Sequence, residues 1–428
     1  MDLLGTLKQT VYSKASLLFS RATVIEGVLK GGERPLRCMF VENSAVREYL
    51  APRTFAEPPR VLSSFRVFLP ALRGALRGTK GLDLCIAVLS SFYEPYVRGC
   101  YSMRSGEWVH QLLDTASPWE ELYGRFHRNP RETVRKVRKH GFAFRISRTP
   151  EDFELFYHTM YLPLARRQHG ALAHIDSYRE MRSFFRKGFL LLVMEKERAV
   201  AGGLSVPRGD TLVFRRVGVL NGDRELIRRG AQAAVYHYMI RHAYENTFRT
   251  LDLMKSRSFL NDGVYVHKRE WGAAVRPDDE KGKDMFFFLL SRSPENARFF
   301  ELNPPILTGS DGLSACTGWN SSSPLLPEQE ADLWNRFRAP GIEDLEVVLS
   351  GARMPVRTVQ GQPPRFPIRQ GAAGECPSGS TPSVSSPLLS RPFFGSFSAA
   401  GLRDAQGSRV SGGREGREMN GGKEAAGR

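Results

Sequence analysis

Several things are missing from this 428-residue chain, and each absence narrows what it can be. No stretch approaches the ~20 consecutive apolar residues that a spanning helix requires, so no transmembrane segment is expected. The first 25 residues interrupt their Leu, Val, Phe and Ile with Lys8, Lys14 and Arg21. That is no secretory apolar run. It fits an amphipathic helix, packed on its own domain or lying on a membrane surface. Cysteine is sparse: Cys38, Cys85, Cys100, Cys316 and Cys376 are scattered, without Cys-x-x-Cys or Cys–His spacing. An odd, unpatterned set suits a reducing cytosol, so a cytoplasmic location is expected. His127, His140, His169 and His174 also lack ligand spacing, and no metal is predicted. No Cys–His or Ser–His arrangement stands out, which disfavours a covalent intermediate. Acid is scarce too. Forty-five Asp and Glu face 62 Lys and Arg, a formal net charge of +17. That excess favours anionic partners such as phosphates, nucleic acid or an anionic membrane surface.

Apolar periodicity vanishes from about residue 350, where Gly, Ser, Pro and Arg dominate. Such a segment cannot offset an ordering cost of about 1–2 kcal/mol per residue. Residues 350–428 are therefore read as a disordered tail. Residues 303–326 carry turn residues throughout, and 303–349 are read as a loop with short terminal elements, among them a helix at Pro327–Phe337 and a strand at Asp344–Leu349.

The middle of the chain carries the clearest signals. Asn129-Pro130-Arg131-Glu132 predicts a helix start, Thr149-Pro150-Glu151-Asp152 another, and Ser177-Tyr178-Arg179-Glu180 a capping box. Phe142–Ser147 reads as a strand. Three strand patterns follow at Phe189–Met194, Ala199–Val206 and Thr211–Val219, joined by hairpin-length links. Ile227, Ala231, Val235, Met239 and Ala243 then recur at helical spacing, ahead of strands at Thr250–Met254 and Met285–Leu290. Antiparallel pairs need only tight turns, and the helix supplies the crossover to a parallel neighbour. Before residue 120, strands are expected at Leu36–Val41, Val61–Leu69 and Leu82–Leu89, with a helix near Trp108–Asp114.

The most telling segment joins the strand ending in Thr250-Leu251-Asp252-Leu253-Met254 to a loop rich in Lys, Arg and Ser. It turns at Asp262-Gly263 into Val264-Tyr265-Val266-His267-Lys268-Arg269-Glu270-Trp271-Gly272. A strand ending in an acid, a basic loop, and a Lys shortly before Trp-Gly resembles the closing segment of the FemAB-like and BioF2-like branch of the GNAT acyltransferases. His267 stands where that branch has Phe. The resemblance is good over about residues 120–290.

It implies an α/β (α+β) fold with tandem GNAT-like lobes, mixed sheets and a disordered C-terminal tail. The expected division is 1–120 for an N-terminal lobe, 121–302 for the acyltransferase domain, 303–349 for terminal elements and 350–428 for the tail. It implies transfer of an acyl or aminoacyl group to an amine on a sugar, peptidoglycan or polysaccharide precursor. Acyl-CoA or aminoacyl-tRNA would be the co-substrate, with no permanently bound cofactor. An anionic donor, an amine-bearing envelope precursor, tRNA and a peripheral membrane surface are the partners in keeping with it. A small-amine acetyltransferase and a non-catalytic basic module binding RNA or membrane are the rival readings.

The resemblance also assigns residues. Lys268 would meet an acceptor phosphate or stabilise charge in the transfer; otherwise it is a surface lysine on a strand. Asp252 would orient an amine, or else pair with Arg215, Arg216 or Lys255 for structure alone. Arg167, Arg216, Lys255, Arg257 and His267 are substrate-binding candidates; Arg167 with Gly170 fits the family's Arg-x-x-Gly. Donor phosphates would lie at Arg228, Arg229 and Gly230, although Ile227 occupies the family's Gln/Arg position and the two arginines equally suit a solvated helix face. Deleting 361–428 should leave thermal unfolding unchanged. A scanning-calorimetry midpoint lowered by more than a few degrees, about 1 kcal/mol for a protein this size, would show that the tail packs.

Overall fold

A computed structural model describes residues 18–41, 44–169, 175–278, 282–309, 312–320, 325–349 and 356–360. All of them lie in one compact unit, Met1–Pro367. The expected N-terminal helix, Gly170, and the tail beyond residue 360 fall outside the described residues.

The described strands are β1 (Phe19–Val28), β2 (Pro35–Val41), β3 (Arg60–Phe68), β4 (Leu84–Ser90), β5 (Met103–Gly106), β6 (Trp108–Asp114), β7 (Phe142–Ser147), β8 (Phe189–Glu195), β9 (Arg198–Arg208), β10 (Thr211–Val219), β11 (Thr250–Arg257), β12 (Ala274–Pro277), β13 (Lys283–Leu289), β14 (Ile306–Thr308), β15 (Leu313–Trp319), β16 (Ile342–Leu349) and β17 (Val356–Gln360). They form three mixed sheets, ordered β3-β1-β2-β4-β13-β5, β12-β6-β11-β10-β9-β8-β7 and β14-β15-β16-β17. The fold is mixed α/β, as expected. In the seven-stranded sheet β7 to β10 run antiparallel to their neighbours, and β11 joins β10 in parallel. Helix Ala231–Glu245 makes that crossover. It packs Ala234, Val235, Met239 and Ala243 on one face of the sheet with Leu212, Phe214, Leu251 and Leu253. The other face is covered by Phe153, Phe156, Met160, Met181 and Phe185 from the segments Pro150–His169 and Tyr178–Lys187.

Local signals decide most of these elements. Thr149 Oγ1 accepts from Asp152 N, and the Ser177–Glu180 capping box forms. Other expectations are corrected. Trp108–Asp114 is a strand, because Val109, Gln111 and Leu113 alternate inward with a period of two. The helix expected to start at Pro130, with Asn129 as its cap, starts two residues earlier at Arg128, after His127, and the Asn129 amide donates to Glu270 Oε1 at 2.9 Å instead. The helix expected through Ile227 breaks at Gly230, whose φ of +98° separates Arg224–Arg228 from Ala231–Glu245.

The sheets draw their strands from across the chain. The strand β13 leaves the second sheet's segment and inserts between β4 and β5 of the first, while β6 from the N-terminal part lies between β11 and β12. The helix Pro327–Phe337 and the strand near Asp344–Leu349 are present as expected, whereas the stretch read as loop, 303–326, carries β14 and β15. β15 and β16 pair in parallel around helix Pro327–Phe337, and their core of Ile306, Leu313, Ala315, Leu345 and Val347 meets Leu260 and Tyr265. β17 adds an edge strand from within the expected tail. Gly318 permits this arrangement: a Cβ there would come within 1.6 Å of the Ala297 carbonyl oxygen.

Residues 263–270 form a helix. Asp262 caps it, accepting from Val264 N and Tyr265 N at 3.0 and 2.9 Å. Tyr265 and Lys268, three apart, turn inward with the following Trp271. Lys268 is therefore no surface lysine; it is 4% exposed. Its Nζ donates to Met254 O (3.1 Å), Lys255 O (2.9 Å) and Ser256 Oγ (3.1 Å), which occupies all three ammonium donors. Burial pushes this lysine down to about 7, with Arg216 adding to the fall and Asp252 and Asp262 opposing it.

Two predictions follow from this packing. Gly318→Ala forces backbone apart and should lower the unfolding midpoint by several degrees, consistent with an overpacking cost of about 1–3 kcal/mol; an unchanged midpoint would refute the contact with Ala297. Lys268→Met should destabilise the fold, since each buried carbonyl left unpaired costs about 1–3 kcal/mol. Between pH 7 and the ordinary lysine value of 10.5, the unfolded chain keeps a proton that the folded chain has lost. Folded wild type therefore gains stability as pH rises through that window, and the methionine variant lacks this gain. Urea denaturation of both at pH 6.5 and about 9 tests it; parallel pH dependence would place the lysine in water.

Candidate active site

The parallel contact between β10 and β11 is short. It spans Thr211 with Thr250, Leu212 with Leu251 and Val213 with Asp252. Each strand then changes register against its other neighbour, β10 between Phe214 and Arg216 and β11 between Asp252 and Lys255. Met254 takes φ = +65° at this point, a left-handed conformation that costs an L-residue about 1–2 kcal/mol. Asp252 Oδ1 offsets the cost by accepting the Met254 N–H at 2.7 Å, and Lys268 holds the Met254 carbonyl. The two strands part just beyond Asp252.

Leu251 and Leu253 face the helix Ala231–Glu245, so alternation turns Asp252 to the other face. There Asp252 Oδ1 also meets His110 Nε2 of β6 at 2.8 Å. Of the expected structural partners, Arg216 pairs with Asp176 and Lys255 with Asp278, while Arg215 lies within reach of the Asp252 charge. Burial raises the Asp252 carboxyl, but the hydrogen bonds from His110 and from Met254 N, with the charges of His110 and Lys268, hold it below its ordinary value. Ionised Asp252 accepts only, so His110 Nε2 carries the hydrogen and Nδ1 is left as an acceptor in the neutral ring. The imidazole is 26% exposed and the carboxylate 14%. An oriented, accessible imidazole is suited to removing a proton from an attacking amine.

Arg215 lies across the parting at the β10 bulge. Its guanidinium sits 3.9 Å over Phe184, its Nη1 is 3.7 Å from Met254 Sδ, and its buried Nε has no hydrogen-bond partner among the described residues. Burial and the neighbouring Arg216 lower its basicity from the ordinary value. Sequence reasoning did not select His110 or Arg215 as functional. The alternation of Trp108–Asp114 was the signal that could have put His110 on a strand; nothing local marks Arg215.

The substrate-binding candidates are mostly neutralised. Arg216 pairs with Asp176 at 2.6 Å, Lys255 with Asp278 at 2.8 Å, and Arg257 with Glu107 at 2.8 Å while covering Trp108 at 4.0 Å. Arg167 Nη1 donates to the Gly222 carbonyl at 2.6 Å. His267 is half-buried edge-on to Tyr236, ring centroids 4.6 Å apart, and burial with Lys268 nearby pushes it down to about 4. Of the expected residues, Asp252, Lys255 and Arg257 lie on β11, Arg216 lies on β10, and Lys268 bonds to the parting itself. Arg228 pairs with Glu225, and Arg229 with Glu195. Ile227 packs against the core beneath helix Ala231–Glu245. Gly230 is the N-cap of that helix, and no side chain caps its first N–H groups. The described residues contain no cluster of potential metal ligands.

Known proteins match part of this architecture. Residues 124–269 match the family model described as an acetyltransferase (GNAT) domain. No curated protein matches the sequence. Among solved structures, the C-terminal domain of a putative lysylphosphatidylglycerol synthetase from Agrobacterium fabrum is 12% identical, with 62% of this chain and 80% of that chain covered and a TM-score of 0.34. FemX is 12% identical over 62% of this chain and 84% of its own, with a TM-score of 0.34. L-PGS from Bacillus licheniformis is 10% identical over 64% and 87%, with a TM-score of 0.30. The segment that carries the β10–β11 parting, Asp252 and Lys268 thus lies within the residues that match a GNAT acetyltransferase domain, and that match supports an acyltransferase.

Proposed function

We propose that the chain moves an acyl or aminoacyl group from an activated donor to an amine, carried on a sugar, peptidoglycan or polysaccharide precursor in the cytoplasm. The observation that carries this reading is the Asp252–His110 pair at the point where β10 and β11 part; Asp252 lies within the segment that matches the GNAT model, and His110 reaches it from β6, ahead of that segment. The donor's phosphates are assigned to the uncapped first turn of helix Ala231–Glu245 at Gly230, where N–H groups and the helix dipole favour anions. Arg228 and Arg229 flank that turn and would exchange Glu225 and Glu195 for phosphate. Ile227 in place of a polar side chain leaves room for an aminoacyl-tRNA as well as an acyl-CoA.

In this scheme the amine nitrogen attacks the acyl carbon and a C–N bond forms. His110 Nδ1 takes the amine proton, and Asp252 holds the ring and balances its new charge. Arg215 faces the developing oxyanion. The C–S or C–O bond to the donor then breaks, and the thiol or ribose hydroxyl leaves with the proton that His110 took from the amine. Lys268 is a positioning residue here: it fixes the backbone that carries Asp252 and touches no substrate. Arg167, Arg216, Lys255, Arg257 and His267 shape the walls around the acceptor.

Radiolabelled acetyl-CoA and aminoacyl-tRNA, each incubated with amino sugars and nucleotide-linked envelope precursors, test the reading. Transfer from neither donor to any amine would defeat it. Given turnover, His110→Ala should lower kcat/KM by about 100-fold or more, the usual worth of a general base. KM and the unfolding midpoint should stay close to wild type, and added imidazole should restore part of the rate. Asp252→Asn combined with His110→Ala should cost little more than either alone. Full activity in His110→Ala would remove the imidazole from the mechanism.

A further inference from the structure

At the free edge of the seven-stranded sheet, β7 ends and β8 begins beside a cavity of about 310 Å³. Strands β9 and β10 stand between it and β11, so it is separate from the parting that carries Asp252. Arg148, Arg182, Arg186 and Lys187 bound it, over an apolar floor of Phe153 and Phe185 stacked at 4.9 Å. None of these four cations has a hydrogen-bond or ion-pair partner among the described residues; Arg182 has only the Tyr178 ring, at 5.9 Å. The single acid in the lining is Glu154. It is engaged elsewhere, accepting from the Tyr178 hydroxyl and facing His158 Nε2 at 3.2 Å. Arg145 and Asp152 close by neutralise each other at 2.7 Å.

This charge arrangement is uneconomical for an empty surface. Arg182 and Arg186 are four apart on one helix, where like charges repel. The C-terminus of helix Tyr178–Lys187 accounts for Arg186 and Lys187, whose charges suit its dipole. It does not account for Arg182 one turn earlier, or for Arg148, which arrives from the separate link between β7 and the next helix. By contrast, Arg216, Arg229 and Arg257 each have an acid. Here four cationic side chains from two elements line one hollow that holds a single acid, Glu154.

We propose that this cavity binds a phosphate group bearing two or more negative charges, carried by a small soluble ligand. Guanidinium forks match phosphate oxygens two at a time, and Lys187 adds a point charge. The volume lies at the lower end of the range for small-molecule sites. A hollow of this size takes a phosphate with a compact substituent against Phe185, and it suits a soluble ligand better than a flat lipid surface. The assignment stands independently of the acyl-transfer reading.

Isothermal titration of the full chain with inorganic pyrophosphate, at ionic strength fixed with KCl, tests it. Saturable one-site binding is expected. Arg182→Gln with Arg186→Gln should weaken it at least ten-fold, and Arg148→Gln alone should weaken it measurably. Arg135→Gln with Lys139→Gln, which removes the same charge from the exposed face of helix Arg128–Lys139, should change it less than two-fold. Equal losses in both double variants would reduce the effect to net charge and overturn the site, as would an absence of saturable binding. Phosphatidylglycerol vesicles form the second arm. Vesicle binding that depends on Arg182 and Arg186, without pyrophosphate binding, would assign the cavity to a lipid headgroup and overturn the soluble ligand.

Discussion

The centre of this protein rests on one buried lysine. Lys268 reaches from helix Gly263–Glu270 to the carbonyls of Met254 and Lys255 and the hydroxyl of Ser256. Those are the residues where β11 turns away from β10. Met254 sits there in a left-handed conformation that its side chain disfavours, and strained backbone persists only where its surroundings over-determine it. Lys268 from one side and the Asp252 carboxylate from the other supply that determination. Without them the two strands could continue side by side, and the opening beside Asp252 would close.

That opening organises charge as well as shape. Asp252 is committed three ways: it holds the Met254 N–H, it orients His110, and its charge favours the ammonium of Lys268. The backbone support and the reactive pair thus share a carboxylate. Tyr49 of helix Ser44–Thr54 donates to Asp262, the cap of the helix that carries Lys268. The N-terminal part of the chain therefore reaches the site through Tyr49 and Asp262 as well as through β6, which contributes His110. In a parallel pair flanked by antiparallel neighbours, a single bulge is enough to release one side. Here both strands carry one.

Around the parting, Arg216, Lys255 and Arg257 are each held by a carboxylate, so a count of basic residues overstates what a substrate would meet. Arg215 is different. It stacks on Phe184 and keeps a buried Nε without a partner among the described residues. Composition alone could not separate the paired cations from this one, because pairing depends on side chains brought in from distant elements.

The sequence by itself determined the elements whose signals are local. The cap at Thr149, the capping box at Ser177–Glu180, and the alternation and link lengths from Phe189 to Val219 all act within a few residues, so β7 to β10 were legible. So was the strand holding Asp252, and the resemblance over 120–290 agrees with the GNAT match over 124–269. Tertiary structure decided the rest. Whether Trp108–Asp114 turned or extended depended on β11 and β12 offering it two partners. Whether β13 stayed with its sequence neighbours depended on β4 and β5. The turn-rich stretch after 303 became a sheet because Gly318 let it lie against Ala297 and because β15 found β16. Lys268 was visible as a residue of interest, but its burial depended on three acceptors in β11 that no spacing rule places. His110 became part of the site only when β6 was laid beside Asp252, 142 positions away. Contacts of that range are set by packing, and no short window of sequence contains them.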